Sequence, residues 1–411
     1  MKVVVVGSGG REHALALVLG RHGEVVVTPG NPAIEGSVAT PVEELVADGS
    51  VDLVVFGPEQ PLVDGAADVL RAQGVRVFGP NRDGAELEGS KAVMKEVVDA
   101  AGVPTARWRA FCAAELDDAL EFLSSMAPPY VIKTDGLAAG KGVLVSHSLD
   151  HAVADVRAKL AGSAFGDAGR RVVIEEGLVG PEVSVFAVCD GTRAVCLPAA
   201  QDFKRVGDHD AGPNTGGMGA WSPLPFLPVG FEDEVNRVFI EPTLAELRRR
   251  GIDYRGVLYA GLMLTPQGPR LIEFNVRFGD PDSQVVLLRM TSSLVDLLVA
   301  AADGDLRAVP APTFADDTAV LVVAASEGYP VAPRTGDVIT GLEAARTTAG
   351  ATVLGAGVAA ADGALVTAGG RVLNVVGRGV GAAEARASAY AALGALGWPG
   401  MHHRTDIAAP S

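Results

Sequence analysis

The chain has 411 residues, 48% of them hydrophobic, and its 34 Lys and Arg against 50 Asp and Glu give a net charge of −16. That length provides for two to four domains with packed cores, and negative charge spread along the chain excludes a general nucleic-acid binder while leaving local Lys and Arg free to gather phosphates. No run of about 18 uncharged apolar residues exists, so no membrane span is expected. The cysteines Cys112, Cys189 and Cys196 form neither a zinc set nor a disulfide framework and fit a reduced, cytoplasmic protein.

The first section alternates strand and helix. Val3–Val6 reads as a strand rather than the apolar core of a signal peptide, Gly7–Gly10 as a turn and Glu12–Leu19 as a helix. Apolar runs follow at Val25–Val27, Leu53–Phe56 and Val75–Phe78, each ending in a Pro or Gly turn: Pro29-Gly30-Asn31, Gly57-Pro58-Glu59 and Gly79-Pro80-Asn81. That spacing predicts a parallel sheet with its loops gathered at the carboxyl edge, where ligands bind. A glycine-rich turn before a helix, here Gly9-Gly10, suits an anion. A dinucleotide fold fits poorly, because Gly7-Ser-Gly-Gly-Arg-Glu12 is not G-x-G-x-x-G and Val25–Val27 ends in Thr-Pro-Gly where a ribose-binding acid is expected.

From Gly89-Ser90-Lys91 the texture changes. Ala92–Ala101 reads as a helix closed by Gly102, with Pro104 just beyond. Strands Tyr130–Lys133 and Val143–Val145 flank a hairpin that holds Gly140, Lys141 and Gly142. A lysine at a strand end beside such a hairpin can fold over a triphosphate; a flexible surface hairpin has the same composition. The spacing is not that of a Walker P-loop. Strand Val172–Glu176 runs into Leu178, Gly180 and Glu182, an acidic strand end able to offer backbone groups to a base and a carboxylate to a ribose. The stretch from Gln201 to Gly219 is too long and glycine-rich for a simple hairpin, and structured loops of this kind are usually functional. Glu234–Arg250 is predicted as a helix and Val257–Leu264 as a strand.

The most informative stretch is Leu271–Phe278. Its strict alternation predicts Ile272, Phe274, Val276 and Phe278 on one strand face and Glu273, Asn275 and Arg277 on the other. A carboxylate, an amide oxygen and a guanidinium side by side make a place for a hard cation and phosphate oxygens. Beyond it, Leu294–Ala301 reads as a helix, Asp303–Pro312 as a connector, and the remainder as a small α+β unit with strands Ala319–Ala324, Ala364–Thr367 and Arg371–Val376, a helix near Ala383–Leu396, and a tail holding His402-His403.

Taken in order, these motifs resemble those of the ATP-grasp ligases, and most closely the phosphoribosylamine–glycine ligase (glycinamide ribonucleotide synthetase) family. The likeness runs through residues 7–13, 29–31, 57–59, 87–91 and 135–143, and is most specific in Gly-Pro-Asn-Thr-Gly-Gly-Met-Gly-Ala at 212–220 and Asn-x-Arg-Phe-Gly-Asp-Pro at 275–281. It implies an α/β and α+β multidomain fold: an N-terminal parallel-sheet domain at 1–89, an ATP-grasp domain at 90–302 with a mobile subdomain at about 106–177, and a C-terminal α+β domain at 313–411. The implied reaction joins glycine to 5-phosphoribosylamine through glycyl phosphate, with ATP as co-substrate and Mg²⁺ or Mn²⁺. A sister ATP-grasp ligase with another carboxylate and amine would share the grasp residues.

By motif position, Lys95, Lys133, Gly140, Lys141 and Gly142 would meet ATP phosphates, Glu175, Glu176 and Leu178 the adenine, and Glu182 the ribose. Glu273 and Asn275 would hold the metal, and Arg277, Lys133 and Asp280 would be catalytic. Gly9, Gly10, Pro29, Gly30, Asn31, Gly57, Pro58, Glu59, Lys204, Asn214, Gly216 and Gly217 would serve the substrates. The resemblance also implies a cytoplasmic monomer that binds no nucleic acid or membrane. The chain departs from the family pattern at Phe203, where many members carry His and where no general base can act here. It departs also at Asp282 in place of Glu, in a shortened 31–41 segment, and at Ala260-Gly261, where many grasp enzymes place a second metal-binding acid.

Overall fold

Valine-rich runs build the first layer. In a computed structural model describing residues 1–137, 142–162 and 171–409, Lys2–Gly7 lies between Glu24–Pro29 and Leu53–Phe56, with Val77–Phe78 at the edge, all parallel. Val3, Val4 and Val5 are fully buried, as a parallel sheet covered on both faces requires. The expected strand at Val75–Phe78 contributes only its last two residues.

Two antiparallel sheets follow. Trp108–Cys112, Arg171–Glu176, Tyr130–Thr134 and Val143–Ser146 pair in that order, and helices Leu116–Ser124 and Leu149–Leu160 close a separate small core around Phe111, Phe122, Ile132 and Ile174. The other sheet runs Ala194–Cys196, Glu182–Asp190, Arg255–Thr265, Gly268–Asn275. Cys189 and Cys196 lie in its first two strands offset in register, each opposite an alanine, and both thiols are free.

The structure differs from two sequence expectations. The alternation over Leu271–Phe278 is broken: Gly261 pairs with Glu273 but Leu262 pairs with Leu271, leaving Ile272 as the extra residue of a bulge, and the strand ends at Asn275. Ile272 therefore shares a wall with Glu273 instead of opposing it. The long helix expected over 234–250 runs unbroken from Phe231 to Arg249 but contains a π turn, Asn236–Ile240, between its α-helical ends. Pro242 has no N–H to donate into the preceding turn, and the wider turn accommodates that loss. The tail is docked on the last sheet: His402 bridges Ala325 and Arg404 is 1% exposed.

A five-stranded antiparallel sheet closes the structure in the order Gln201–Asp202, Gly219–Ser222, Thr318–Ala325, Arg371–Gly379, Ala351–Gly355. Its first two strands come from the middle of the chain, so the C-terminal section and the glycine-rich stretch around 201–222 share one sheet.

Candidate active site

A cavity of about 900 Å³ lies between the two four-stranded antiparallel sheets, with Val131, Lys133 and Val143 from one and Tyr259, Met263, Ile272 and Glu273 from the other on its walls. Alternation along Tyr130–Thr134 buries Ile132 in the small core and turns Lys133 toward the cavity. Lys133 Nζ lies 2.8 Å from Glu175 Oε1, and Lys95 Nζ lies 2.9 Å from Glu175 Oε2, with all three side chains at most 4% exposed. Lys95 also donates to Thr105 Oγ1 at 2.6 Å, and Lys133 to the Ile272 carbonyl at 3.2 Å, which ties the two sheets together. Burial would raise the Glu175 carboxyl, but Lys133 and Lys95 outweigh it and hold the group below its ordinary value; burial lowers Lys95. Glu175 thus sets the spacing of two ammonium groups.

At the floor, Asn275 Oδ1 accepts from Arg277 Nη2 at 3.3 Å, and Arg277 also pairs with Glu88 at 2.8 Å and Glu59 at 3.3 Å. Burial would raise Glu273, but Lys204, Lys91, Lys133 and Arg277 bring it down to about 2, so it is ionised whenever the protein is folded near neutrality. Glu273 and Asn275 offer a carboxylate and an amide oxygen, a donor set that fits magnesium or manganese shared with phosphate oxygens. The residue facing Glu273 across the strands is Gly261, which brings no second acid. Among the described residues no three His, Cys, Asp or Glu side chains are grouped to hold an ion by themselves, so bound phosphate would have to complete the coordination.

A third wall is polar. Lys204 pairs with Glu182, and Glu182, Asp202 and Glu273 keep the ammonium above its ordinary range although burial opposes them. Burial, with Glu182 and Asp282 nearby, pushes Asp202 up to about 7 against the pull of Lys204. Asp280 accepts from Gln284 at 2.6 Å and pairs with Arg371 at 2.8 Å, while Arg371 donates to the carbonyl of Gly216 at 2.7 Å.

The expected residues Lys133, Gly142, Glu175, Glu176, Leu178, Glu182, Glu273, Asn275, Arg277, Asp280, Pro58, Glu59, Lys204, Asn214 and Gly216 line this one cavity. Lys95 stands behind it, fully buried. Gly140 and Lys141 fall outside the described residues. Gly9, Gly10, Pro29, Gly30, Asn31, Gly57 and Gly217 are not on the lining. Several of these serve close packing instead: a Cβ on Gly57 would sit 1.9 Å from Glu12 Oε1, and one on Gly10 would sit 2.1 Å from Asn374 Nδ2. Asn31 is buried, and its amide donates to the carbonyls of Ser8 at 2.8 Å, Ala356 at 3.2 Å and Gly355 at 3.3 Å. Sequence reasoning missed Glu88, Lys91, Asp202 and Arg371. Glu88, Lys91 and Asp202 stand inside motifs that gave a signal, whereas Arg371 reaches the site from a strand about a hundred residues away, which no local pattern announces.

Comparison with known proteins decides the family. Residues 1–88, 89–283 and 319–410 match the N domain, the ATP-grasp (A) domain and the C domain of phosphoribosylglycinamide synthetase. The phosphoribosylamine–glycine ligase of Streptomyces coelicolor is 49% identical, over 100% of this chain and 99% of its own. The chain belongs to the phosphoribosylamine–glycine ligase family. The Mycobacterium tuberculosis ligase is 47% identical over 99% of this chain and 97% of its own. Among solved structures, the phosphoribosylamine–glycine ligase of Thermotoga maritima superposes with a TM-score of 0.87 at 35% identity, covering 99% of this chain and 100% of that one. A biotin carboxylase domain from Hydrogenobacter thermophilus, at 16% identity and a TM-score of 0.75, shares the fold. Like this ligase family, the chain carries an ATP-grasp domain, and among the described residues no helix is long and apolar enough to cross a membrane.

Proposed function

We propose that the protein ligates glycine to 5-phosphoribosylamine at the expense of ATP, giving glycinamide ribonucleotide, ADP and phosphate, a step of de novo purine (IMP) biosynthesis. The observation that carries the reading is one cavity in which the Lys95–Glu175–Lys133 array faces the Glu273, Asn275 and Arg277 strand end, in a chain matched over its whole length by ligases of that name. A glycine carboxylate oxygen attacks the γ-phosphorus, the bond to the β–γ bridging oxygen breaks, and ADP leaves. The amine of the sugar phosphate then attacks the acyl carbon of glycyl phosphate, the C–O bond to phosphate breaks, and the nitrogen loses a proton as phosphate departs.

Positioning and neutralisation of charge are the protein's contribution to phosphoryl transfer. Lys133, with Lys95 behind it, faces the triphosphate charge; Arg277, held by Glu88 and Glu59, faces the transferring group. A magnesium or manganese ion at Glu273 and Asn275 would offset charge on the phosphate oxygens. Lys204, Asn214 and the Pro58-Glu59 turn serve the phosphorylated amine. Phosphate release measured with each substrate omitted tests the reading. It should require both glycine and phosphoribosylamine; equal release with a different carboxylate or amine would assign the chain to a sister ligase.

A further inference from the structure

The stretch from Phe203 to Gly216 supplies much of the polar wall of the cavity, including Phe203, Lys204, Asn214 and Thr215, yet has little burial of its own. Ala211–Asn214 is exposed along its length, and its pairing with Arg205–Gly207 shifts in register. At the turn, His209 and Asp210 both have positive φ, 55° and 52°. Successive non-glycine residues in that region persist only where their surroundings hold them.

Those surroundings come from the far end of the chain. The His402 backbone exchanges hydrogen bonds with Ala325 at 2.8 and 2.9 Å, anchoring the segment to the five-stranded sheet, and its Nε2 lies 2.8 Å from the Val206 carbonyl. Arg404, buried to 1% exposure, donates to Asp210 Oδ1 at 2.7 Å and to the Arg205 carbonyl at 3.2 Å, pairs with Asp406 at 2.7 Å, and lies over the Phe203 ring at 5.1 Å. The Thr405 amide donates to Asp208 at 2.7 Å, and Asp406 accepts from the His209 amide at 2.8 Å.

We propose that His402–Asp406 is a brace for the amine-substrate wall, and that Arg404 is a positioning residue for Lys204 and Asn214. The proposal rests on the functional reading above, since it assigns that wall to the phosphorylated amine. Arg404 sits where the anchored segment, the strained turn and the Phe203 ring meet. Among the described residues its side-chain hydrogen bonds reach the hairpin and its own segment, while its carbonyl accepts from Tyr390 Oη at 2.8 Å on the last helix, so what the guanidinium fixes is the hairpin's place relative to the C-terminal section. A planar guanidinium can stack on the ring and still serve two carboxylates; an ammonium cannot.

The test compares Arg404→Met and Asp208→Ala with wild type, each substrate being varied in turn, alongside hydrogen exchange. Arg404→Met should raise KM for phosphoribosylamine about tenfold and leave KM for ATP within about twofold, as loss of charged hydrogen bonds on one wall predicts. Asp208→Ala, which removes a tie outside the cavity, should act in the same direction. Amides of 205–214 should exchange faster in both variants, while those of Thr318–Ala325 stay protected. Unchanged KM for the amine, or a rise shared equally with ATP, overturns the proposal. Should Arg404→Met fail to fold, Asp208→Ala and Arg404→Lys carry the same readouts. Failure of wild type to use phosphoribosylamine would defeat the functional reading instead, and the exchange result would still report on the brace.

Discussion

Glu175 carries one charge between two, and that arithmetic dictates its behaviour. Replacing it with Gln leaves two ammonium groups facing each other with all three positions buried; breaking a buried ion array costs roughly 3–5 kcal/mol. Glu175→Gln should therefore lose stability of that order in urea unfolding and raise KM for ATP; a variant as stable as wild type would mean the lysines do not depend on it. Glu273→Gln should act differently, keeping the fold while turnover drops below about a tenth, a barrier increase of more than ~1.4 kcal/mol. The depressed Glu273 group, at about 2, contributes stability that is present above its unfolded value of 4.5 and lost as pH falls toward 2. The stability gap between wild type and Glu273→Gln should accordingly stay level from pH 5 to pH 8 and close below pH 4.5; a gap that widens on acidification contradicts the assigned direction. Residues that meet within one short stretch of chain were legible in the sequence: Glu273, Asn275 and Arg277 stand within four residues of one another. Glu88 stands in the 87–91 motif, but nothing local showed that it grips Arg277 from a distant helix.

At the scale of elements, periodicity located the strands of the first sheet and those carrying Lys133, Glu175 and Glu273, but it missed the helices Leu116–Ser124 and Leu149–Leu160 and the strand Glu182–Asp190, and it could not register a displaced residue. Nothing in Arg270–Phe278 signals that Ile272 is squeezed out of the ladder, because the bulge arises from how Leu262 pairs with Leu271 across the sheet. The loop at Pro29–Asn31 shows the same limit. Its turn composition was readable and its role was not: the Asn31 amide spans Ser8 in one section and Gly355-Ala356 in another. Where motif position alone suggests an effect on the amine substrate, the geometry predicts a structural one. Asn31→Ala should lower stability by about 1–3 kcal/mol through carbonyls left without a donor, with KM for ATP unchanged. Chemical denaturation against steady-state kinetics separates the two, and a pure KM effect at full stability would return Asn31 to the substrate.

Across the whole molecule, domain order follows the sequence while the hydrogen bonding does not. Gly219–Ser222 pairs with Ala319–Val322, and one hydrophobic core joins Val3 and Val5 of the first sheet to Leu321 and Val376 of the last. A chain ending at residue 312 should lose the partner of that strand and fail to form the cavity, showing no cooperative unfolding and no binding of a non-hydrolysable ATP analogue by calorimetry. Retained tight binding would show that the grasp section folds by itself.

The shared sheet also imposes an order in time. On a ribosome making about 5–20 residues per second, the roughly one hundred residues between the middle strand and its partner take about 5–20 s to appear. Throughout that interval Gly219–Ser222, which follows the stretch that lines the polar wall, has no neighbour on one edge. A half-built centre still lacks Arg371 and the His402–Asp406 segment, because those residues appear only when synthesis is nearly done.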